Sequence, residues 1–422
     1  MKKVKRFFVL FLTASLLLLK GVWMSPVSAA DVPANPLQKE GWILDRHDEF
    51  NGTSLDTSLW IPSYLSYRTT EERAAARYTF RDGCLVLRID REQPTYYPGN
   101  AMKVSSIQTG QRDYLHKDDF NHSTPTKMNY TPKYGYFEIR AKTVNQTGYH
   151  CAFWTTGVRD TPTQEGEIDI MEQFGNARRN NFNLIKWDDP NLTDNGYAVT
   201  FSFDPSAEFH IYALEWDGTS IKFYVDNVLM RTVNQSPNYA AVFYLSIYEN
   251  SGWTGTADTS SSLYPREFII DYFRAYKKAD SSSTIKYEAE NLSRTLSSGI
   301  TSDVWNDGAS GGGWVKVNSN SVGDYVDFTV NVPAAGNYKV VTGYRSAPTR
   351  GIAQLSIGGT NHGSPIDMYQ SSATFKEATT GNLYFGIVGN KTFRYRITGK
   401  NSNSSGYDMG IDYIKLVPSD AS

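Results

Sequence analysis

Cysteine is nearly absent from this sequence: Cys84 and Cys151 are the two in 422 residues. That excludes the dense disulfide framework of a small secreted scaffold and any cysteine-rich metal knot. It leaves open either one bridge or two buried thiols. Long apolar runs are equally scarce. The one present, Phe7–Leu19, is interrupted by Lys20 and is short for a membrane span. It follows Lys2, Lys3, Lys5 and Arg6 and precedes Ser28, Ala29 and Ala30, so residues 1–30 read as a secretory signal peptide and the protein as extracellular. Excess positive charge is lacking too. Without the five basic residues of that leader, 37 basic residues face 44 acidic ones, a net charge of about −7. This argues against nucleic acid or an anionic membrane as partner and is compatible with a neutral one. Sustained helical periodicity and short-period repeats are also missing.

What is present is aromatic and strand-like. Aromatics make up 14% of the chain, with 28 Tyr and 9 Trp. Flat aromatic faces suit sugar binding; a large β-core favours the same residues. Short alternating runs such as Tyr136–Ala141, Ile221–Val225 and Phe268–Tyr276 are separated by turn pairs, among them Asp82-Gly83, Asp217-Gly218 and Gly358-Gly359. Many short strands with regular turn signals predict all-β sandwiches. The stretch Glu71–Arg77 predicts one helical turn. A polar, serine-rich break at Lys277–Thr284 divides the chain. The expected organisation is a leader (1–30), a front domain (31–276), a linker (277–284) and a back domain (285–418).

The chemistry concentrates in Gly166-Glu-Ile-Asp-Ile-Met-Glu172. In a regular strand Glu167 and Asp169 share a face and Glu172 points the other way. One extra residue around Ile170–Met171, a β-bulge, returns Glu172 to their side, with the apolar residues buried behind. Like charges crowded on one strand face are destabilising and need a reason. Glycoside hydrolysis supplies one. A carboxylate attacks the anomeric carbon while a carboxylic acid protonates the leaving oxygen, the two about 5–5.5 Å apart in retaining enzymes. Crowding keeps one member protonated as the acid.

The region Trp42–Lys277 resembles glycoside hydrolase family 16. The resemblance is carried by Asp48-Glu-Phe-Asn-Gly52, Gly83-Cys-Leu-Val-Leu87, Tyr134-Gly-Tyr-Phe-Glu-Ile-Arg140, the carboxylate run, Phe209–Trp216 and Ile221–Asp226. It implies a concanavalin-like β-jelly-roll with an open cleft, Glu167 as nucleophile, Asp169 as its helper and Glu172 as acid/base, and no cofactor for catalysis. It further implies Trp154 as an aromatic platform, Glu138, Asn181 and Asn183 as sugar contacts, Trp253 at the cleft rim, and Asp271 as ligand of a structural Ca²⁺. Two departures bear on specificity. Gly148-Tyr-His-Cys151 stands where laminarinase-like members carry a tryptophan-proline pair, and Asn181–Trp187 replaces their paired histidines. His150 itself reads as a satisfied strand histidine.

The back domain resembles carbohydrate-binding modules of families 6 and 35, through Tyr287-Glu-Ala-Glu290, Gly323–Phe328, Val332–Tyr338 and Gly410–Leu416. The resemblance implies a structural Ca²⁺ held by Glu288, Glu290 and Asp412. It implies sugar binding by aromatics among Trp305, Trp314, Tyr344, Tyr369 and Tyr407. The whole is expected to be a secreted, monomeric, endo-acting retaining β-glycanase. Its substrate is a β-1,3- or β-1,3-1,4-glucan, with a β-galactan (agar, porphyran, carrageenan or β-1,3-galactan) as the alternative. A transglycosylase would share the same covalent intermediate, and a glycan receptor would lack the carboxylates.

Overall fold

The computed structural model describes residues 31–39, 41–280 and 282–419; the expected leader at 1–30 lies outside them. Two β-sandwiches follow one another. In the first, an eight-stranded sheet runs Val228–Val233, Ile221–Val225, His210–Trp216, Gly135–Lys142, Arg266–Lys278, Cys84–Ile89, Tyr78–Arg81, with Trp42–Asp48 also paired to Arg266–Lys278. Against it lies a six-stranded sheet ordered Asn195–Thr200, Arg179–Ile185, Glu167–Phe174, Tyr149–Gly157, Ala241–Glu249, Lys103–Gln108. All neighbours in both sheets are antiparallel.

Alternation along each strand decides which residues meet between the sheets. Phe137, Ile139 and Ala141 face Phe153, Ile168, Ile170 and Phe243 in one buried cluster. The opposite face of the six-stranded sheet carries a second, separate cluster of Tyr64, Tyr96, Trp154, Tyr244 and Tyr248. That face holds the site. Turn chemistry closes the hairpins as read from the sequence. Asp82 and Gly83 take φ of 54° and 73° between Tyr78–Arg81 and Cys84–Ile89, the left-handed pair that matches strand twist. The expected helical turn is the helix Glu71–Ala74, capped by the Thr70 side chain.

The second sandwich has its own core, including Val326, Phe328, Tyr338, Phe393, Ile411 and Ile414. One sheet runs Thr301–Trp305, Trp314–Asn318, Met409–Pro418, Gly336–Ser346, Thr374–Phe385, with Ile285–Glu288 also on Met409–Pro418. The other runs Arg294–Leu296, Tyr325–Val332, Gly389–Lys400, Gly351–Ile357, Thr360–Asp367. The segment before the first strand ties the two together. Gln38 accepts from Asn331 N (2.8 Å) and donates to Thr329 O (3.0 Å).

Cys84 and Cys151 settle as free, buried thiols, one on each sheet of the first sandwich. No helix among the described residues is long and apolar enough to cross a membrane.

Candidate active site

The strand Glu167–Phe174 is bulged at Ile170. Its partner strand pairs Trp154 with Asp169 but Phe153 with Met171, and on the other side Asn183 pairs with Asp169 and Asn181 with Glu172. Ile170 has no register partner, so Ile170 and Met171 both turn into the core while Glu172 rejoins Glu167 and Asp169 on the other face. The three carboxylates line one pocket of roughly 600 Å³. Its aromatic walls include Tyr64, Trp154, Trp187, Tyr248 and Trp253, and Arg68, Lys117 and Arg179 bring positive charge to it.

Each carboxylate has a different environment. The Trp187 indole N–H donates to Glu167 Oε2 at 2.8 Å. The Asn183 amide donates to Asp169 Oδ2 at 3.0 Å and to Glu172 Oε2 at 2.9 Å. Asp169 and Glu167 share a hydrogen bond. Burial raises all three carboxyls, and their mutual repulsion adds to this at Glu167 and Asp169. Glu172 is pushed up to about 8 by desolvation, against the lowering effect of the Asn183 amide. A carboxyl held protonated near neutrality can serve as a general acid.

Neighbouring loops complete the pocket. His116 is buried edge-on to Trp154 and Trp187, with Nε2 3.6 Å from Glu167 Oε2 and Nδ1 3.8 Å from Glu165 Oε1. Desolvation holds its imidazole well below the usual range, so it is neutral. Glu165 is held by Arg159 (3.3 Å), which also reaches Asp118 (2.9 Å) and donates to Tyr114 O (2.8 Å). His150 stacks between Phe174 and Tyr248, at centroid distances of 4.2 and 4.9 Å, with Nε2 3.3 Å from Glu172 Oε1. Burial drops its pKa to about 3. It lines the pocket, and among the described residues neither ring nitrogen has a hydrogen-bond partner, which corrects its reading as a satisfied strand histidine.

The expected site residues divide. Trp154 borders the pocket, but only 5% of it is exposed. It stacks on Tyr244 at 4.1 Å and forms a packed wall of the pocket. Trp253 is 61% exposed on the short helix Ser251–Thr254 at the pocket rim. Asn183 lies against the carboxylates. Asn181 instead donates to the Glu172 backbone carbonyl (3.2 Å) and braces the bulge. Glu138 is a correction. It sits on the eight-stranded sheet, outside the pocket, beside Arg274 (3.8 Å) and accepting from Asn35 (2.9 Å). Its strand alternates Phe137 and Ile139 inward with Glu138 and Arg140 outward, beneath the segment 31–39. A sugar does not reach it.

The expected calcium ligands divide likewise. Asp271 accepts from the Arg140 guanidinium at 2.7 Å, so the residues there do not fit a cation site. In the second sandwich, Glu288 and Asp412 both engage Ser310, and Lys286 lies 2.8 Å from Glu288. Among the described residues Glu288 Oε2 and Glu290 Oε2 are buried without a hydrogen-bond partner. Desolvation, with repulsion among the three carboxylates, lifts Glu290 to about 7 and Asp412 to about 6. Such a cluster fits a cation, although among the described residues no three such side chains stand in chelating geometry. Of the aromatics named for sugar binding, Trp314 and Tyr344 are buried, Tyr369 and Tyr407 half-buried, and Trp305 is 49% exposed.

Trp187, His116, Lys117 and the Arg159–Glu165 pair were not identified from the sequence. They come from loops remote in the chain, with no spacing that ties them to the motif.

Comparison with known proteins agrees with this geometry. Residues 76–272 match the profile of glycosyl hydrolases family 16. The solved structure of a GlcNAcα1-4Gal releasing endo-β-galactosidase from Clostridium perfringens is similar at 30% identity, over 71% of this chain and 82% of that one, with a TM-score of 0.56. A β-glucanase of Acetivibrio thermocellus is 27% identical over 277 residues, 62% of this chain and 70% of the relative. The β-agarase AgaA of Microbulbifer thermotolerans is 26% identical over 329 residues, 67% and 72% of the two chains. The profile spans the strands that carry all three pocket carboxylates, and the chain belongs to glycosyl hydrolases family 16 and is a glycoside hydrolase.

Proposed function

We propose that the chain is an exported, monomeric, endo-acting β-glycanase that retains anomeric configuration. The observation that carries this reading is the bulge at Ile170, which sets Glu167, Asp169 and Glu172 together in one aromatic pocket. Glu167 attacks the anomeric carbon as the bond from that carbon to the leaving oxygen breaks. The Glu172 proton passes to that oxygen. Water then attacks the glycosyl–Glu167 ester, giving its proton to Glu172 and freeing Glu167. Asp169, beside Glu167 on the same face of the bulged strand and held by the Asn183 amide, orients it.

The substrate is a β-linked, galactose-containing glycan. Support comes from the similarity to an endo-β-galactosidase, which extends over 71% of the chain, and from the absence of the tryptophan-proline and paired-histidine features of laminarinase-like members. The second reading, a β-1,3- or mixed-linkage glucan, is favoured by β-glucanase relatives. The second sandwich acts as a carbohydrate-binding module that raises the enzyme's local concentration on polysaccharide, with Trp305 as its exposed aromatic. A Ca²⁺ drawn in by Glu288, Glu290 and Asp412 would brace it without touching catalysis. Export is supported by the leader-like first thirty residues.

The test is a reducing-sugar screen of the mature protein on agarose, porphyran, carrageenan, β-1,3-galactan, a glycan capped by GlcNAcα1-4Gal, laminarin and barley glucan, with Glu167→Gln alongside. Release from a galactose-containing member, absent in the variant and with the β-anomer formed first, supports the reading. Release from glucans alone transfers it to the second substrate. Equal release by Glu167→Gln overturns the mechanism.

A further inference from the structure

The proposed reaction poses an electrostatic problem. The nucleophile must be ionised, yet Glu167 is buried beside two other carboxylates. Something must make it, rather than Asp169 or Glu172, the member that carries the charge. Two groups are placed to do so. Trp187, in the turn after strand Arg179–Ile185, aims its indole N–H at Glu167 Oε2 from 2.8 Å. Lys117 lays its ammonium 3.9 Å above that same indole ring. A ring polarised by a cation on its face is a better N–H donor, and the ammonium also attracts the carboxylate directly.

We propose that Trp187 and Lys117 together are the positioning device that holds Glu167 ionised and aimed at the anomeric carbon, an inference that rests on Glu167 being the nucleophile. Arg68 and Arg179 also line the pocket, but Arg68 is paired with Asp119, and among the described residues it is Lys117 that stands over the indole bonded to Glu167. Asp169 and Glu172, on the same strand, repel the charge. His116 is neutral and makes no hydrogen bond to Glu167, its Nε2 standing 3.6 Å away. The phenols of Tyr64, Tyr244 and Tyr248 stay protonated, their pKa values raised by burial. The Asn183 amide is spent on Asp169 and Glu172. Local backbone supports the arrangement: Trp187 and Lys117 both adopt left-handed φ, 42° and 61°. Non-glycine residues are held there only when their surroundings demand it. The Lys117 amide is tied to the Glu165 carboxylate, which Arg159 anchors in turn.

The experiment compares Trp187→Phe, Lys117→Met and Lys117→Arg with the wild type and Glu167→Gln, on whichever polysaccharide of the screen the wild type cleaves. It is paired with a ¹³C-carboxyl NMR titration in which Glu167→Gln assigns the Glu167 signal. Trp187→Phe keeps the ring and removes the donor. Losing a hydrogen bond to a charged group should lower kcat by roughly 10- to 100-fold. KM should stay within about twofold, because the lost contact is not with the sugar. The Glu167 signal and the acidic limb of the pH profile should both move to higher pH. Lys117→Met should shift them the same way by less, and Lys117→Arg should restore the profile. Should Trp187→Phe fail to fold, the lysine pair and the titration carry the test. An unmoved Glu167 signal with unchanged kcat overturns the inference while leaving the nucleophile in place. Turnover by Glu167→Gln instead refutes the reading on which it rests.

Discussion

Asn183 offers the sharpest check on how labour is divided among the three carboxylates, because one amide donates to two of them. Asn183→Ala removes the bonds of 3.0 Å to Asp169 and 2.9 Å to Glu172 without touching the nucleophile's own donor. A hydrogen bond to an ionised group contributes about 1.5–3 kcal/mol, and one to a neutral group about 1 kcal/mol. The stronger bond exists when Glu172 is ionised, after its proton has gone to the leaving oxygen and while it waits to take one from water. Glu172 gains that charge as it protonates the leaving oxygen, so the loss of the bond falls on the first half of the reaction, and kcat/KM should drop roughly 10- to 100-fold. The sign of the pH effect follows from the same bond. The amide favours the carboxylate and so lowers a pKa that desolvation has pushed up to about 8. Without it the proton is held more tightly, and the alkaline limb of kcat/KM moves to higher pH. The assay is a pair of pH–rate profiles together with trapping of the glycosyl-enzyme, which should not accumulate in the variant because its formation is the slowed step. An alkaline limb that stays in place or moves down would refute the assignment of Glu172 as the acid and Asn183 as its brace.

Three further outcomes follow from the same geometry. Glu172→Gln should raise the melting temperature above wild type at pH 8, and the advantage should shrink towards pH 5. A carboxyl whose pKa goes from 4.5 unfolded to about 8 folded makes stability fall as pH rises between those values, and glutamine removes that slope. Arg159→Met should cost about 3–5 kcal/mol in a urea titration, because it strands the buried Glu165 carboxylate without its partner; a loss under about 1 kcal/mol would show the pair to be solvated. Cys84 and Cys151 should resist a thiol reagent in the native protein and titrate as two thiols in denaturant. Both are buried and burial lifts them to about 11 and about 12. Native-state labelling of either would contradict the packing.

The carboxylate face was legible in the sequence because its alternation is over-determined. Ile168 and Ile170 must go inward, and only a bulge lets Met171 join them and sends Glu172 back beside Asp169. The hairpins were legible for a similar local reason, since Asp82-Gly83 carries its own turn geometry. Glu138 shows where such reasoning stops. Alternation separated it from Phe137 and Ile139 correctly, yet parity says only that a side chain points away from the core. It cannot say which sheet the strand joins, and Glu138 belongs to the sheet facing away from the pocket. Trp187, His116 and Lys117 illustrate the opposite limit. They are brought to Glu167 by turns held through Arg159, Glu165 and Tyr67, contacts between segments some fifty residues apart that no periodicity encodes. The residues that make a carboxylate a candidate nucleophile could thus be read from one strand. Those that decide which carboxylate carries the charge are contributed by the loops around it, and substitutions there are where relatives sharing the motif can diverge in specificity and pH response.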